Sequence, residues 1–350
     1  MSASTLRVVV ATPLADDDAE RIVTLEPRIE LIRDASLLPP MRHAADFAGD
    51  PAFRRSSTQQ RAFEKLVDSA DALYGIPDVD PRALARTVRA NPELRWVQTM
   101  AAGGGSQVRA AQLEPRELER VAFTTSAGVH GGPLAEFAVF GVLAGAKDLP
   151  RLAAQQRWRR WTSRWAMKQV SDMTILVLGL GGIGRETAHK LQLLGARVIG
   201  FSRSGDGAPE GTVGERIERL GDHLPQADAI VVTLPGTTAT ESLLGDIVFD
   251  AVKPGVIVVN VGRGTVIDEP ALTRALADGR VGFAALDVFA VEPLSGESPL
   301  WDHPNVLVSP HTAALDPREE RRIAELFADN AGRLLDGRPL RNVVDTVEFY

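Results

Sequence analysis

The chain has 350 residues, 44% of them apolar and 24% charged, a balance that excludes wholesale disorder and, at about 100–200 residues per domain, suggests two domains. Lys and Arg number 39 against 46 Asp and Glu, giving −7, which argues against a general nucleic-acid coat but leaves room for a local basic pocket. There is no cysteine, so disulfides, thiolate metal ligands and cysteine nucleophiles are excluded.

Met-Ser-Ala-Ser-Thr-Leu-Arg leads straight into Val8-Val9-Val10, with no basic region and long apolar core, so no secretory signal is expected. The longest apolar run, 137–146, is too short for a bilayer, which needs about 20 residues. A cytoplasmic protein without membrane partners is the resulting expectation. Apolar runs at 8–11, 29–32, 72–75, 95–98 and 121–124 predict strands. Helical stretches between them, such as 60–69 and 81–90, predict a parallel sheet. Residues 39–58, rich in Pro, Arg, Asp and Ser, break the rhythm and predict an inserted loop. A long helix is predicted over about 134–161.

The alternation then restarts with six apolar runs, at 174–178, 197–201, 229–234, 256–260, 282–286 and 306–309. Helix-like stretches at 185–194, 217–224 and 269–278 separate them. A final helix, about 318–335, ends at Gly337. The reading is therefore α/β, with two Rossmann-like or flavodoxin-like parallel sheets and a cleft between them. One domain, 126–311, is expected to bind a dinucleotide. It interrupts a substrate-binding domain made of 1–125 and 312–350.

Leu178-Gly179-Leu180-Gly181-Gly182-Ile183-Gly184 places three glycines in the G-x-G-x-x-G spacing, between a predicted strand and a predicted helix. Gly179 permits the tight turn, Gly181 lets a diphosphate approach the helix N-terminus, and Gly184 lets helix and strand pack. The other reading is a glycine-rich turn with no ligand. Gly182 and Ile183 in the turn, with Leu234, Pro235 and Val261 at the ends of later runs, are further candidate cofactor contacts. About 20 residues on, an acid would hold the ribose hydroxyl of NAD. Here Ser202-Arg203-Ser204 stands instead, which predicts a preference for NADP(H), with NAD(H) as the alternative if Arg203 only stacks on adenine.

Arg263, Glu292 and His311 follow the runs at 256–260, 282–286 and 306–309, and carboxyl ends of parallel strands face a ligand crevice. Their chemistry suits hydride transfer to a 2-oxo acid. Arg offers a fork of donors to the substrate carboxylate. His donates a proton to the developing alkoxide, and a neighbouring carboxylate favours its charged form and fixes its orientation. Taken singly, each also reads as an ordinary loop residue. The remaining histidines show no metal spacing, so no metal is predicted.

These elements together resemble the D-isomer-specific 2-hydroxyacid dehydrogenase family: the 179–184 turn, 260–268, 286–293 and Ser309-Pro310-His311, with 92–98 and 128–136 in the first block. The resemblance spans nearly the whole chain except 39–58. It implies two such domains, a homodimer, and the roles assigned above to Arg263, Glu292 and His311. It sets Asp287 near the nicotinamide amide. It also implies that the loop after 95–98, here Met100-Ala101-Ala102-Gly103-Gly104-Gly105, holds the substrate carboxylate through backbone N–H groups, at Ala102 and Gly103. The alternative for this glycine run is a flexible loop. Gly104 and Gly105 depart from the family's more usual bulky residue and Asp, and Ala290-Val291 departs from its Glu-Pro. Trp158, Trp161 and Trp165 read either as core or dimer surface, or as reaching a partner's substrate pocket.

The reading is thus an NADP-preferring reductase of small 2-oxo acids such as glyoxylate or hydroxypyruvate. D-lactate, phosphoglycerate and formate dehydrogenases are the enzyme alternatives, and a non-catalytic, corepressor-like dinucleotide sensor is the alternative of another class.

Overall fold

The computed structural model describes residues 5–43, 46–347 and 349; residues 1–4, on which part of the signal-peptide reading rests, lie outside it, as do Ala44 and Ala45 of the 39–58 segment. The chain divides into two compact units, Met1–His130 with Leu315–Tyr350, and Gly131–Ala314.

The first unit carries a parallel sheet of β1 (Leu6–Val10), β2 (Ile29–Ile32), β3 (Ala72–Tyr74), β4 (Trp96–Gln98) and β5 (Ala122–Thr124), in the order β2-β1-β3-β4-β5. Strands covered by helices on both faces must be apolar throughout, which is why these runs were legible. The C-terminal helix Glu319–Leu335 supplies a buried stripe of Ile323, Phe327 and Ala331 to this unit's core. Phe327 stacks on Trp96 at 4.5 Å and meets Tyr74 edge-on at 5.1 Å. The 39–58 segment is irregular up to Ser56, which caps the helix Ser57–Val67 with a reciprocal box to Gln59. Arg55 pins its end by donating to the Leu37 carbonyl at 2.6 Å and to Asp78 at 2.8 Å, over the Phe63 ring.

The second unit carries seven parallel strands: β6 (Thr174–Leu178), β7 (Arg197–Ser202), β8 (Val213–Arg216), β9 (Ala229–Val232), β10 (Val256–Asn260), β11 (Val281–Leu286) and β12 (Val306–Val308). Their order is β12-β11-β10-β9-β6-β7-β8. Strand order reverses between β6 and β9, and the crevice beyond the carboxyl ends at such a reversal is where open α/β sheets bind ligands.

Three sequence expectations are corrected. β8, Val-Gly-Glu-Arg, was missed because it is a largely exposed edge strand with no apolar run to betray it. The single helix expected over 134–161 is two, Gly131–Ala146 and Leu149–Arg157. Asp148 between them adopts the left-handed conformation at φ 55°, and Pro150 starts a new helix because its ring cannot sit inside an old one. The stretch expected to be helical over 217–224 is likewise a broken series of short turns around Leu220–His223.

Candidate active site

The glycine turn joins β6 to the helix Gly182–Leu193 at the strand-order reversal. Gly179 has φ 100°, which a side chain would oppose. A Cβ on Gly184 would collide with the Gly179 carbonyl and approach Thr233 Oγ1 at 2.8 Å, so Gly184 is required by helix–strand packing. Gly181 differs, because a Cβ there would meet nothing within 4 Å. It caps the helix without a side-chain hydrogen bond, so the first N–H groups of the helix point at open space with the positive end of the dipole behind them. A cradle of this kind fits a dinucleotide diphosphate. Gly182 opens the helix, and Ile183 is half-buried against the apolar core of this unit. Leu234 follows β9 and would touch a Cβ on Gly179 at 3.3 Å. Pro235 accepts a bond from Thr240 at 2.7 Å, and Val261 is buried at the end of β10.

At the end of β7 the hydroxyls are already engaged. Ser202 Oγ accepts from the Gly205 N–H and donates to the Asp206 carbonyl, both at 3.0 Å. Ser204 Oγ accepts from the Asp206 N–H at 3.2 Å. The serines therefore shape the turn that presents Arg203.

Arg263, Glu292 and His311 stand on loops that follow β10, β11 and β12. His311 Nδ1 is 2.7 Å from Glu292 Oε2, and both side chains are partly exposed, at 46% and 36%. Glu292 Oε1 accepts from the Phe289 N–H at 3.0 Å, so the carboxylate is held from both ends. Burial pushes the Glu292 carboxyl up. The His311 bond, the Phe289 N–H and the charges of His311 and Arg263 outweigh it and hold the group below the usual carboxylate range. Arg263 Nη1 donates to the Gly262 carbonyl at 2.7 Å. Its loop is built by Asn260, whose buried amide donates to the Arg263 carbonyl and accepts from the Gly262 N–H, both at 3.0 Å. Gly264 has no room for a side chain, because its Cβ would run into the backbone of Phe289 and Ala290. The glycines around Arg263 thus bring the cation's loop against the loop that carries Glu292. Asp287 is fully buried beside this group, with Oδ1 accepting from Ser309 Oγ, Thr312 N–H and Ala313 N–H.

Ala102 and Gly103 lie in the first unit after β4. The glycine run there is a turn into the helix Gly105–Ala110 rather than an open loop, and a Cβ on Gly104 would strike the Thr99 side chain. Trp158 and Trp161 are 69% and 103% exposed, which excludes the core reading for these two. Trp165 lies under the Arg151 guanidinium at 3.9 Å. Sequence reasoning missed Asn260, Thr233 and Ser309. Thr233 Oγ1 closes the base of the glycine turn on the Leu178 and Gly179 carbonyls, at 3.0 and 2.9 Å. A polar residue ending an apolar strand was the available signal for the first two. Among the described residues no group of three or more His, Asp or Glu is placed to hold a metal ion, and no helix is long and apolar enough to cross a membrane.

Residues 139–313 match the model of the D-isomer specific 2-hydroxyacid dehydrogenase NAD-binding domain. The chain is 31% identical over 301 residues to a glyoxylate reductase of Aeropyrum pernix, covering 82% of this chain and 87% of the relative. It is similar along 99% of its length to a D-isomer specific 2-hydroxyacid dehydrogenase of Xanthobacter autotrophicus Py2 solved with NADPH and MES, at 29% identity, TM-score 0.78 and full coverage of that chain. A structure of an NADPH-dependent glyoxylate/hydroxypyruvate reductase from Sinorhizobium meliloti, with NADP and sulfate, matches at 25% identity and TM-score 0.76, over 99% of this chain and all of that one. Against phosphoglycerate dehydrogenases the chain spans 40–52% of their length in matches from Archaeoglobus fulgidus and Mycobacterium bovis. Relatives of these kinds do not favour a non-catalytic sensor. The glycine turn at the strand reversal, the paired imidazole and carboxylate, and these likenesses lead to one statement: the chain belongs to the D-isomer specific 2-hydroxyacid dehydrogenase family, oxidoreductases that use a nicotinamide dinucleotide and act on small 2-oxo or 2-hydroxy acids.

Proposed function

We propose that the protein is an NADPH-preferring reductase of small 2-oxo acids of the glyoxylate or hydroxypyruvate kind. The observation that carries the catalytic part is the 2.7 Å contact of His311 with Glu292, with the positive charge of Arg263 acting on the same carboxylate. A bound nicotinamide dinucleotide supplies the hydride. Arg263 binds the substrate carboxylate through its planar fork. His311 gives its proton to the oxygen that gains negative charge, and takes it back when the reaction runs toward the 2-oxo acid. Glu292 keeps the imidazole oriented through its contact with Nδ1. Ala102 and Gly103 are proposed to add backbone N–H donors to the substrate carboxylate, on the strength of the family resemblance. Gly131–Ala314 serves as the dinucleotide-binding unit and the remainder as the substrate-binding unit.

The NADPH preference is supported by Arg203 where NAD sites carry an acid, and by the NADPH or NADP bound in the two similar structures. The bases of the family resemblance extend to a homodimer. The exposed Trp158, Trp161, Leu152 and Met167 give the 149–167 stretch the apolar character of a surface covered by a second copy. A cytoplasmic setting belongs to the same proposal. The deciding experiment measures oxidation of NADPH and of NADH with a panel of 2-oxo acids. Turnover of glyoxylate or hydroxypyruvate with a higher kcat/KM for NADPH supports the proposal. A higher kcat/KM for NADH, or efficient turnover of only larger acids, refutes the corresponding part.

A further inference from the structure

Asp287 is wholly buried and follows β11 directly. Its backbone carbonyl accepts the His311 N–H at 2.9 Å. Its Oδ1 accepts three more donors: Ser309 Oγ at 2.5 Å, and the Thr312 and Ala313 N–H groups at 3.0 Å each. Four of the five residues in 309–313 are therefore bonded to this one residue. The fifth is Pro310, which has no N–H to give. Ser309 is itself tied to the sheet, its N–H donating to the Leu286 carbonyl at 2.9 Å.

The residue enclosed by these bonds is His311, at φ 52°. A non-glycine residue holds the left-handed conformation only where its surroundings over-determine it. Here the surroundings are identifiable, because anchors lie on both sides of the strained residue. Thr312 and Ala313 anchor the downstream side through backbone groups that any sequence would supply. Upstream, the backbone bond of Ser309 to Leu286 is joined by one made by a side chain, the Ser309 hydroxyl. That hydroxyl is buried and its bond to a carboxylate is of the strong, charge-assisted class.

We infer that Ser309 is a positioning residue for the reaction: its hydroxyl bond to Asp287 fixes the backbone of His311 in the conformation that aims the imidazole at Glu292. The inference rests on the proposed proton-transfer role of His311. Removing the hydroxyl leaves the Ser309 and His311 N–H bonds to the Leu286 and Asp287 carbonyls but takes away the upstream side-chain bond to the Asp287 carboxylate, so the left-handed backbone at 311 is held less tightly. The imidazole then spends less time in contact with Glu292 and with the substrate oxygen, while Arg263 and the glycine turn are untouched.

The test compares Ser309→Ala, Ser309→Thr and Ser309→Val in the full chain, with His311→Asn alongside. Thr and Val have nearly the same shape and differ in the hydroxyl, so their comparison stands even if the alanine variant folds poorly. Expected for Ser309→Val and Ser309→Ala is a loss of about tenfold in kcat, the scale of a small misplacement of a catalytic group. KM for the 2-oxo acid and Kd for NADPH should change by less than kcat, since Arg263, the glycine turn and the backbone donors to Asp287 stay in place. Ser309→Thr should restore kcat. The inference is overturned if Ser309→Val turns over like Ser309→Thr at equal Tm, or if the loss lies in KM and Kd rather than kcat. Full turnover by His311→Asn would instead remove the role of His311 itself. An inactive His311→Asn beside a fully active Ser309→Val removes only the inference about Ser309.

Discussion

His311 Nδ1 and Glu292 Oε2 stand 2.7 Å apart although the two residues come from loops after different strands. This leaves the other imidazole nitrogen, Nε2, as the one able to meet a substrate oxygen. His311→Asn keeps a polar side chain without a proton-transferring ring. It should lower kcat by about 10²–10⁴, the usual worth of general acid–base catalysis, while dinucleotide binding followed by fluorescence is retained.

In its proposed role Arg263 would hold the substrate carboxylate in the ground state as well as in the reacting acid, so its loss should be read mainly in KM. Arg263→Ala removes a charge-assisted bond worth about 1.5–3 kcal/mol, so KM for the 2-oxo acid should rise by roughly one to two orders of magnitude. Steady-state kinetics with a saturating dinucleotide checks this. Arg263→Lys should recover only part of the loss, because an ammonium cannot reproduce the bidentate fork.

The depressed pKa of Glu292 has a defined sign. The folded state holds the ionised carboxylate more firmly than the unfolded chain does, so the stabilisation is complete above the ordinary carboxylate range and fades as pH falls through the depressed value. Thermal melts of wild type and Glu292→Gln should therefore differ at neutral pH and converge in acid. The carboxylate is 36% exposed, so the difference should stay below about 1 kcal/mol. A gap that widens as pH falls would contradict the assignment.

Two glycines of one turn should behave oppositely. Gly184→Ala drives a Cβ into the Gly179 carbonyl and should cost about 1–3 kcal/mol of stability, visible as a lower Tm. Gly181→Ala meets no protein atom within 4 Å and should melt like wild type. Its methyl group occupies the space in front of the helix N-terminus, so the dinucleotide Kd should weaken by about tenfold or more through lost approach to the N–H groups. Titration of both variants with NADPH and NADH separates the effects.

Arg203→Ala should weaken NADPH by about tenfold, the loss of one charge-assisted bond to a phosphate, and leave NADH nearly unchanged. The ratio of the two kcat/KM values is the measurement. An equal loss for both cofactors would mean that Arg203 stacks on the adenine they share.

Much of the fold was open to sequence reading because parallel strands buried on both faces must be written as continuous apolar runs, as in Val256–Asn260. β8 escaped because an exposed edge strand carries no such run. The helix break escaped because Asp148 is an ordinary residue in an unusual conformation, and only Pro150 marked it. At the site, charged residues after apolar strands were visible, and so were Arg263, Glu292 and His311. Their supports were not. Ser309 and Asp287 are 22 residues apart, and nothing local to either says that one oxygen will collect a hydroxyl and two N–H groups. The serines of 202–204 were visible too, yet their bonds within the turn depend on the path the chain takes after β7.

The absence of a side chain at Gly264 makes the backbone after β10 and the backbone at Phe289 a single solid piece, and Phe289 is also the residue whose N–H grips Glu292. The cation proposed to bind the substrate and the carboxylate behind the imidazole therefore share one foundation. Their separation is set by main-chain contact, which mutation of surface side chains cannot retune. Attempts to widen the range of acids this enzyme accepts will succeed by changing what surrounds Arg263 and His311, since the spacing between their supports is not adjustable by small steps.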